Sequence, residues 1–168
     1  MSKIDIVFIF FCFLVIGCSN FQLVYKNYND LDSIKNKTKV IVTGDDASEI
    51  ISYLKSKINQ PTNKTYYHLF LNANKSTIAS IVEKDATASK FSITYDIVYN
   101  LENIKKNCLI LNKTISTKSS YDSKSAGYSF GTDISEKKVS IDNIKSNVDE
   151  FLNNIITSKT KLDCQNES

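Results

Sequence analysis

Four cysteines, one histidine and an adjacent aspartate pair are the side chains of this 168-residue chain from which chemistry would have to be built. His68 has no serine, cysteine or carboxylate at a recognised nucleophile spacing, so acyl or phosphoryl transfer has nothing to start from and no enzymatic activity is expected. Asp45 and Asp46 stand where a helix should begin, which capping explains without a metal, and no calcium-loop spacing follows them. Four glycines cannot supply a phosphate cradle or a dinucleotide fingerprint, and no C-x-x-C pair offers a zinc or redox centre. No cofactor and no metal are therefore expected. Cys108 and Cys164 could pair in an oxidising compartment, closing a loop of about 56 residues worth on the order of 4 kcal/mol, or remain free thiols. All 21 basic residues are lysines, against 18 acidic ones, and a net +3 is too weak a footprint for nucleic acid. Phosphate would have to be met by lysine point charges rather than arginine forks.

The amino terminus is the most directive part of the chain. Lys3 precedes an unbroken apolar run from Ile6 to Ile16, followed by Gly17 and Cys18, the layout of a secretory signal. A membrane-spanning helix needs about 20 apolar residues, so the run is too short for a permanent span. Leu14-Val15-Ile16-Gly17-Cys18 resembles a bacterial lipobox, in which the cysteine is lipidated and becomes the first residue after cleavage. Each acyl methylene buried contributes about 0.8 kcal/mol, so several chains, palmitate among them, give stable anchoring. Ser19 follows, rather than the aspartate that retains such proteins at an inner membrane. The implied address is the periplasmic face of a Gram-negative outer membrane. Five Asn-x-Ser/Thr triplets would suit a eukaryotic secreted chain instead, but a sequence this rich in those residues generates them by chance.

Those features need elements to hold them. Removing residues 1–17 leaves lipidated Cys18 and a tether over 18–37, one domain over 38–160 and a tail over 161–168. Val40, Ile41 and Val42 predict a strand ended by Gly44. Asp46 with Glu49 reads as a capping box opening a helix with Ile50, Leu54 and Ile58 on one face. Three strands follow. Leu69, Leu71 and Ala73 alternate in the first; Phe91, Ile93, Tyr95, Ile97, Tyr99 and Leu101 in the second; Leu109, Leu111 and Ile115 in the third. Asp133 with Glu136 reads as a second capping box, before Ile141, Ile144, Val148, Phe151 or Leu152, and Ile155 at helical spacing. The expected fold is α+β: two helices packed on one face of a four-stranded, mostly antiparallel sheet, in the order strand-helix-strand-strand-strand-helix.

That order, together with the lipobox, resembles the outer-membrane lipopolysaccharide-assembly lipoprotein family, LptE, especially its shorter alphaproteobacterial-type members. Phe21-Gln22-Leu23-Val24-Tyr25 is similar to the family's aromatic-to-tyrosine spacing after the anchor, with Leu23 in place of its usual proline. Tyr128-Ser129-Phe130-Gly131 before the last helix is a second similarity. The resemblance implies a plug inside the lumen of an LptD-type β-barrel that supports the barrel's assembly and helps pass lipopolysaccharide to the outer leaflet. Lysines at sheet ends, Lys84, Lys90, Lys118 and Lys124, are the candidates for lipid phosphates. Phe21, Tyr25, Tyr121, Tyr128 and Phe130 are the aromatics expected to meet a partner. The alternative is a lipid- or envelope-binding lipoprotein that works alone, as an accessory of a transport or secretion system, with a cavity for an acyl chain.

Overall fold

The structure, a computed structural model, describes residues 29–61, 64–123, 129–157 and 164. A short helix α1 (Asn29–Asp32) leads into strand β1 (Thr38–Gly44), helix α2 (Ala47–Ile58), strands β2 (Tyr67–Val82), β3 (Ala88–Asn103) and β4 (Cys108–Asp122), and the long helix α3 (Ser129–Thr157). The sheet order is β1-β2-β3-β4. β1 runs parallel to β2, because α2 carries the chain back before β2 begins, and the other two pairings are antiparallel. The α+β architecture and element order are those expected from the sequence.

Strand β3 is the axis of the core. Ile93, Tyr95, Ile97, Tyr99 and Leu101, alternate residues on one face, are all completely buried. Leu69, Leu71 and Ala73 of β2 flank them on one side, Ile115 of β4 on the other, and Ile50, Leu54 and Ile58 of α2 with Ile144, Val148, Phe151, Leu152 and Ile155 of α3 close the layer from above. Phe151 stacks on Tyr99 with ring centroids 4.0 Å apart, an arrangement worth about 1 kcal/mol beyond its area.

Several local expectations are corrected. Asp46 does not cap α2: its backbone is left-handed (φ 49°), its side chain makes no cap bond, and its carboxylate instead accepts the Tyr95 hydroxyl. Glu49 takes the Ser48 hydroxyl at 2.5 Å rather than reaching back to the cap. Asp133 is no cap either, since α3 already begins at Ser129. The parity read for β4 breaks at a bulge: Leu101 pairs with Leu111 but Glu102 with Leu109, so Ile110 is the extra residue and turns inward to 8% exposure. The segment read as tether is packed in part, with Leu31 and Ile34 both buried in the core. Gly44 ends β1 for a steric reason: at φ +91°, a Cβ there would lie 2.0 Å from the Ala73 carbonyl oxygen.

Two asparagines one turn apart on α3, absent from the apolar pattern, lock the helix to the sheet. The Asn147 amide donates to the carbonyls of Tyr95 (3.4 Å) and Ile115 (3.0 Å) and to the Thr117 hydroxyl (2.9 Å), and its oxygen accepts the Tyr99 hydroxyl at 2.8 Å. Asn143 donates to the carbonyls of Ile93 (3.1 Å) and Thr117 (3.3 Å), while its own Oδ1 is buried without a partner among the described residues. Replacing a group so that a buried partner is orphaned costs most. Asn147→Ala, which strands the Tyr99 hydroxyl, is therefore expected to lower unfolding free energy by about 3 kcal/mol, and Asn143→Ala by less than half of that. Urea titration of the two variants reads the difference.

Candidate functional site

Three regions are left to act once the core is accounted for: the sheet face that no described element covers, here the uncovered face, the hairpin arm, and the seam between the helices. On the uncovered face, alternation with the buried residues places Asn72 and Asn74 of β2, Thr94, Asp96 and Asn100 of β3, and Asn112, Thr114 and Ser116 of β4. Phe70 shares that face and meets the edge of His68 at 5.6 Å. Val98 of β3 and Ile41 of β1 join Phe70 there, so the face is mostly polar with an apolar patch toward β1, and the Asn112 amide donates to the Asn100 oxygen across it at 2.6 Å.

The arm arises because β1 stops opposite Ala73 while β2 continues to Val82. Along residues 74–82 β2 is paired on one side only, and Ile78, Ile81 and Val82 are about half exposed. Extra residues on both strands distort the ladder near Ala79 to Val82, which twists an otherwise sticky edge.

Where the arm leaves the body, Lys75 organises a polar node. Its ammonium lies 3.1 Å from Glu136 of α3 and 3.9 Å from Asp46 at the start of α2, and its backbone N–H donates to Asp45 at 2.8 Å. Tyr121 of β4 donates to the other oxygen of Glu136 at 3.2 Å. One lysine thus joins β2 to both helices, and through Glu136 to β4. Beside it the helices leave an open groove in two parts: about 340 Å³ near Asp46, Lys75 and Glu136, and about 390 Å³ bordered by Ser48, Ser52, Tyr53 and Ile141. Further along, the Tyr53 hydroxyl donates to Asp149 at 2.8 Å and Lys57 pairs with the same carboxylate at 3.2 Å, tying α2 to α3.

The residues singled out from the sequence do not gather in one place. Cys18, Phe21, Tyr25, Lys124 and Tyr128 lie outside the described residues, and Phe130 is placed only as part of the α3 backbone. Tyr121 is corrected: it is 6% exposed, stacked on Phe91 at 5.4 Å and bonded to Glu136, so it holds the fold rather than meeting a partner. Lys84 is exposed in the hairpin turn between Glu83 and Asp85. Lys90 pairs across the ladder with Asp122, and Lys118 with Thr94; both lysines belong to the uncovered face, with the Ser92–Ser120 rung between them. Cys108, at the start of β4, is joined to Cys164 in a disulfide with Cα atoms 5.6 Å apart. Among the described residues no group of three His, Cys, Asp or Glu side chains is placed to hold a metal ion, and no helix is long and apolar enough to cross a membrane. Lys75, Asn143 and Asn147 escaped sequence reasoning because each is a lone polar residue whose partners are remote in the chain.

The fold defined by these elements is that of a group of bacterial lipoproteins. A Caulobacter crescentus CB15 protein assigned as a lipoprotein superposes with a TM-score of 0.60 at 15% identity, covering 76% of this chain and 93% of its own. Rare lipoprotein B of Shewanella oneidensis gives 0.53 at 8% identity, covering 73% and 96%. A minor lipoprotein of Acinetobacter baumannii gives 0.52 at 13% identity, covering 75% and 94%. At these identities the likeness is one of fold. No family profile and no curated protein sequence matches the chain.

Burial, together with Glu136, pushes the Tyr121 phenol up to about 12, and burial raises Tyr95 and Tyr99 further. In the unfolded chain these phenols ionise near the ordinary value of about 10. The folded state holds its protons longer, so the stability they contribute is complete below pH about 10 and is lost as pH rises through about 12. Unfolding followed by circular dichroism should therefore set in across that window, with tyrosinate absorbance appearing together with loss of structure, and Tyr121→Phe should lessen the pH dependence.

Proposed function

We propose that the protein is a lipoprotein anchored through Cys18 to the periplasmic face of the outer membrane, where it seats in the lumen of an LptD-type β-barrel. In this reading it supports the barrel's assembly, assists lipopolysaccharide passage to the outer leaflet, and works by fitting rather than by catalysis. The observation that carries the reading is the uncovered sheet face. A four-stranded sheet with both helices on one side presents mainly asparagine, threonine and serine on the other, around the patch of Ile41, Phe70 and Val98, and a mostly polar, lightly charged wall is what the water-filled interior of a barrel accommodates. The lipobox and a fold shared with three lipoproteins support the anchor. Lys90 and Lys118, on neighbouring strands of that face, are the lysines this reading assigns to lipid phosphate, with Lys84 at the arm's tip as a third.

The space between sheet and helices is occupied by Tyr95, Tyr99, Phe151, Leu54 and Ile97, all with no measurable exposure. That packing counts against the alternative of a lone lipoprotein holding an acyl chain in its core.

Affinity purification of the full chain from detergent-solubilised outer membranes should recover a barrel protein in about equal amount. Asn100→Lys together with Thr114→Lys, which add charge to the uncovered face without touching the core, should reduce that recovery at least tenfold. Recovery of the unaltered chain as a free monomer overturns the barrel partnership. Lack of fatty-acid incorporation into the full chain, with Cys18→Ser as the blank, overturns the anchor.

A further inference from the structure

The near-neutral composition conceals a separation of charge along the strands. At the end where β1 and β2 begin, three loops converge: Tyr66 and Tyr67 donate their N–H groups to the Lys37 carbonyl at 2.8 and 3.2 Å, and Ile104 donates to the Tyr66 carbonyl at 3.0 Å. These contacts gather Lys37, Lys64, Lys105 and Lys106, all exposed, with Lys35 just behind. Among the described residues of these loops the carboxylates are Asp32, ion-paired to Lys35 at 3.4 Å, and half-buried Glu102, while Asp149 borders the same groove as Lys35. At the opposite end stand Asp45, Asp46, Glu49, Glu83, Asp85, Asp122, Asp133 and Glu136, eight carboxylates against Lys75, Lys84, Lys90, Lys137 and Lys138.

A second observation concerns the tip of the lysine end. Its β3–β4 turn exposes an aliphatic residue, Ile104, 40% accessible, immediately before Lys105 and Lys106. The turn is held in shape by the Asn103 side chain, which accepts the N–H groups of Lys105 and Lys106 at 3.0 and 3.1 Å, and the Lys105 ammonium sits 4.5 Å over the Tyr66 ring. An apolar side chain and an aromatic ring ringed by ammonium groups suit the boundary between headgroups and acyl chains. The third observation is position: the described chain starts at α1, which packs against α3 at this same end. The ten residues between Cys18 and Asn29 span at most about 35 Å, so a lipid on Cys18 keeps this end, rather than the acidic one, within reach of the leaflet.

We propose that the lysine end, with Ile104, Lys105 and Lys106 at its tip, docks onto the anionic phospholipid headgroups of the leaflet that carries the anchor. Docking turns a lipid-anchored domain into an oriented one, with the hairpin arm directed away from the anchor. Acyl chains and a basic surface are complementary signals for membrane attachment, the first holding the domain and the second orienting it. The inference rests on the anchoring part of the proposed function and not on the barrel partner.

The test uses the mature chain from residue 18 with Cys18→Ser, which cannot be acylated. It is sedimented with vesicles of phosphatidylcholine alone or mixed in equal parts with phosphatidylglycerol. The expected result is salt-sensitive binding to the mixed vesicles only. Lys105→Gln with Lys106→Gln should weaken it about thirty-fold, from roughly one order-of-magnitude step and a half for two lysines at a charged surface. Ile104→Ser should weaken it several-fold, while Lys137→Gln with Lys138→Gln, exposed on α3 near the acidic end, should leave it unchanged. Should the double turn variant misfold by circular dichroism, Lys37→Gln with Lys64→Gln replaces it. Equal binding to both vesicles overturns the proposal, as does an equal loss from the two ends, which would mean attraction by net charge alone. Inorganic phosphate displacing the chain from vesicles at millimolar concentration would reassign the surface to free phosphate. Because no acylation is involved, failure here is separate from failure of the Cys18 anchor, which fatty-acid incorporation reads independently.

Discussion

Two tyrosine hydroxyls inside an otherwise apolar layer constrain the whole molecule. Tyr95 and Tyr99 lie on the buried face of β3, each with no measurable exposure, and an unpaired hydroxyl there would cost roughly 1–3 kcal/mol. Each finds its partner on a different helix: Tyr95 on Asp46, at the start of α2, and Tyr99 on Asn147, in the middle of α3. Apolar packing alone would let both helices slide along the sheet at little cost. The two hydroxyls remove that freedom, and the strand carbonyls bonded by Asn143 and Asn147 set the register of α3 a second time. Asp46 illustrates the priority, since it gives up its capping role and adopts a left-handed backbone to serve Tyr95.

Once both helices are committed to one face, the functional surfaces follow by exclusion. Among the described residues the opposite face has no layer to cover it, and it carries mainly asparagine, threonine and serine at the alternate positions. The arm beyond Ala73 is a consequence of unequal strand lengths, seven residues in β1 against sixteen in β2. Lys75 sits at the junction, between Asp46 and Glu136, so that the root of the arm is fixed to both helices even though its tip is not. The disulfide from Cys108 to Cys164 ties the chain after α3 to the start of β4 at the other end of the sheet. Along residues 74–82 β2 is therefore held by one ladder with local bulges, whereas β3 beside it is paired on both sides and packed into the core.

Charge shows most clearly how the fold creates properties that composition lacks. A net +3 spread over 168 residues predicts no directed attraction. Folding brings Lys37, Lys64, Lys105 and Lys106 to one end and most of the carboxylates of the loops to the other, and the resulting field can orient the domain near a charged surface although its sum is small. Three solved lipoproteins share the fold at 8–15% identity, so the framework tolerates nearly complete replacement of side chains. What is particular to this chain then resides in surface chemistry, in the lysine end and the uncovered face, rather than in the topology.

The sequence by itself determined the class of fold, the order of its main elements and the buried faces of β2 and β3, because these depend on local periodicity. Alternation in Phe91 to Leu101 and the spacing from Ile141 to Ile155 are short-range patterns that burial on one side enforces. The apolar run ending in Gly17-Cys18 was legible for the same reason. Tertiary structure alone decided what the polar residues do. Asp46, Glu136 and Tyr121 read as two caps and an exposed aromatic, yet they serve Tyr95, Lys75 and Glu136 across the fold. Asn147 meets partners 30 or more positions away, and the lysine end is assembled from three separate loops. A hydrogen bond or a Coulomb contact depends on distance in space, and chain spacing carries no record of that distance until packing has brought the elements together.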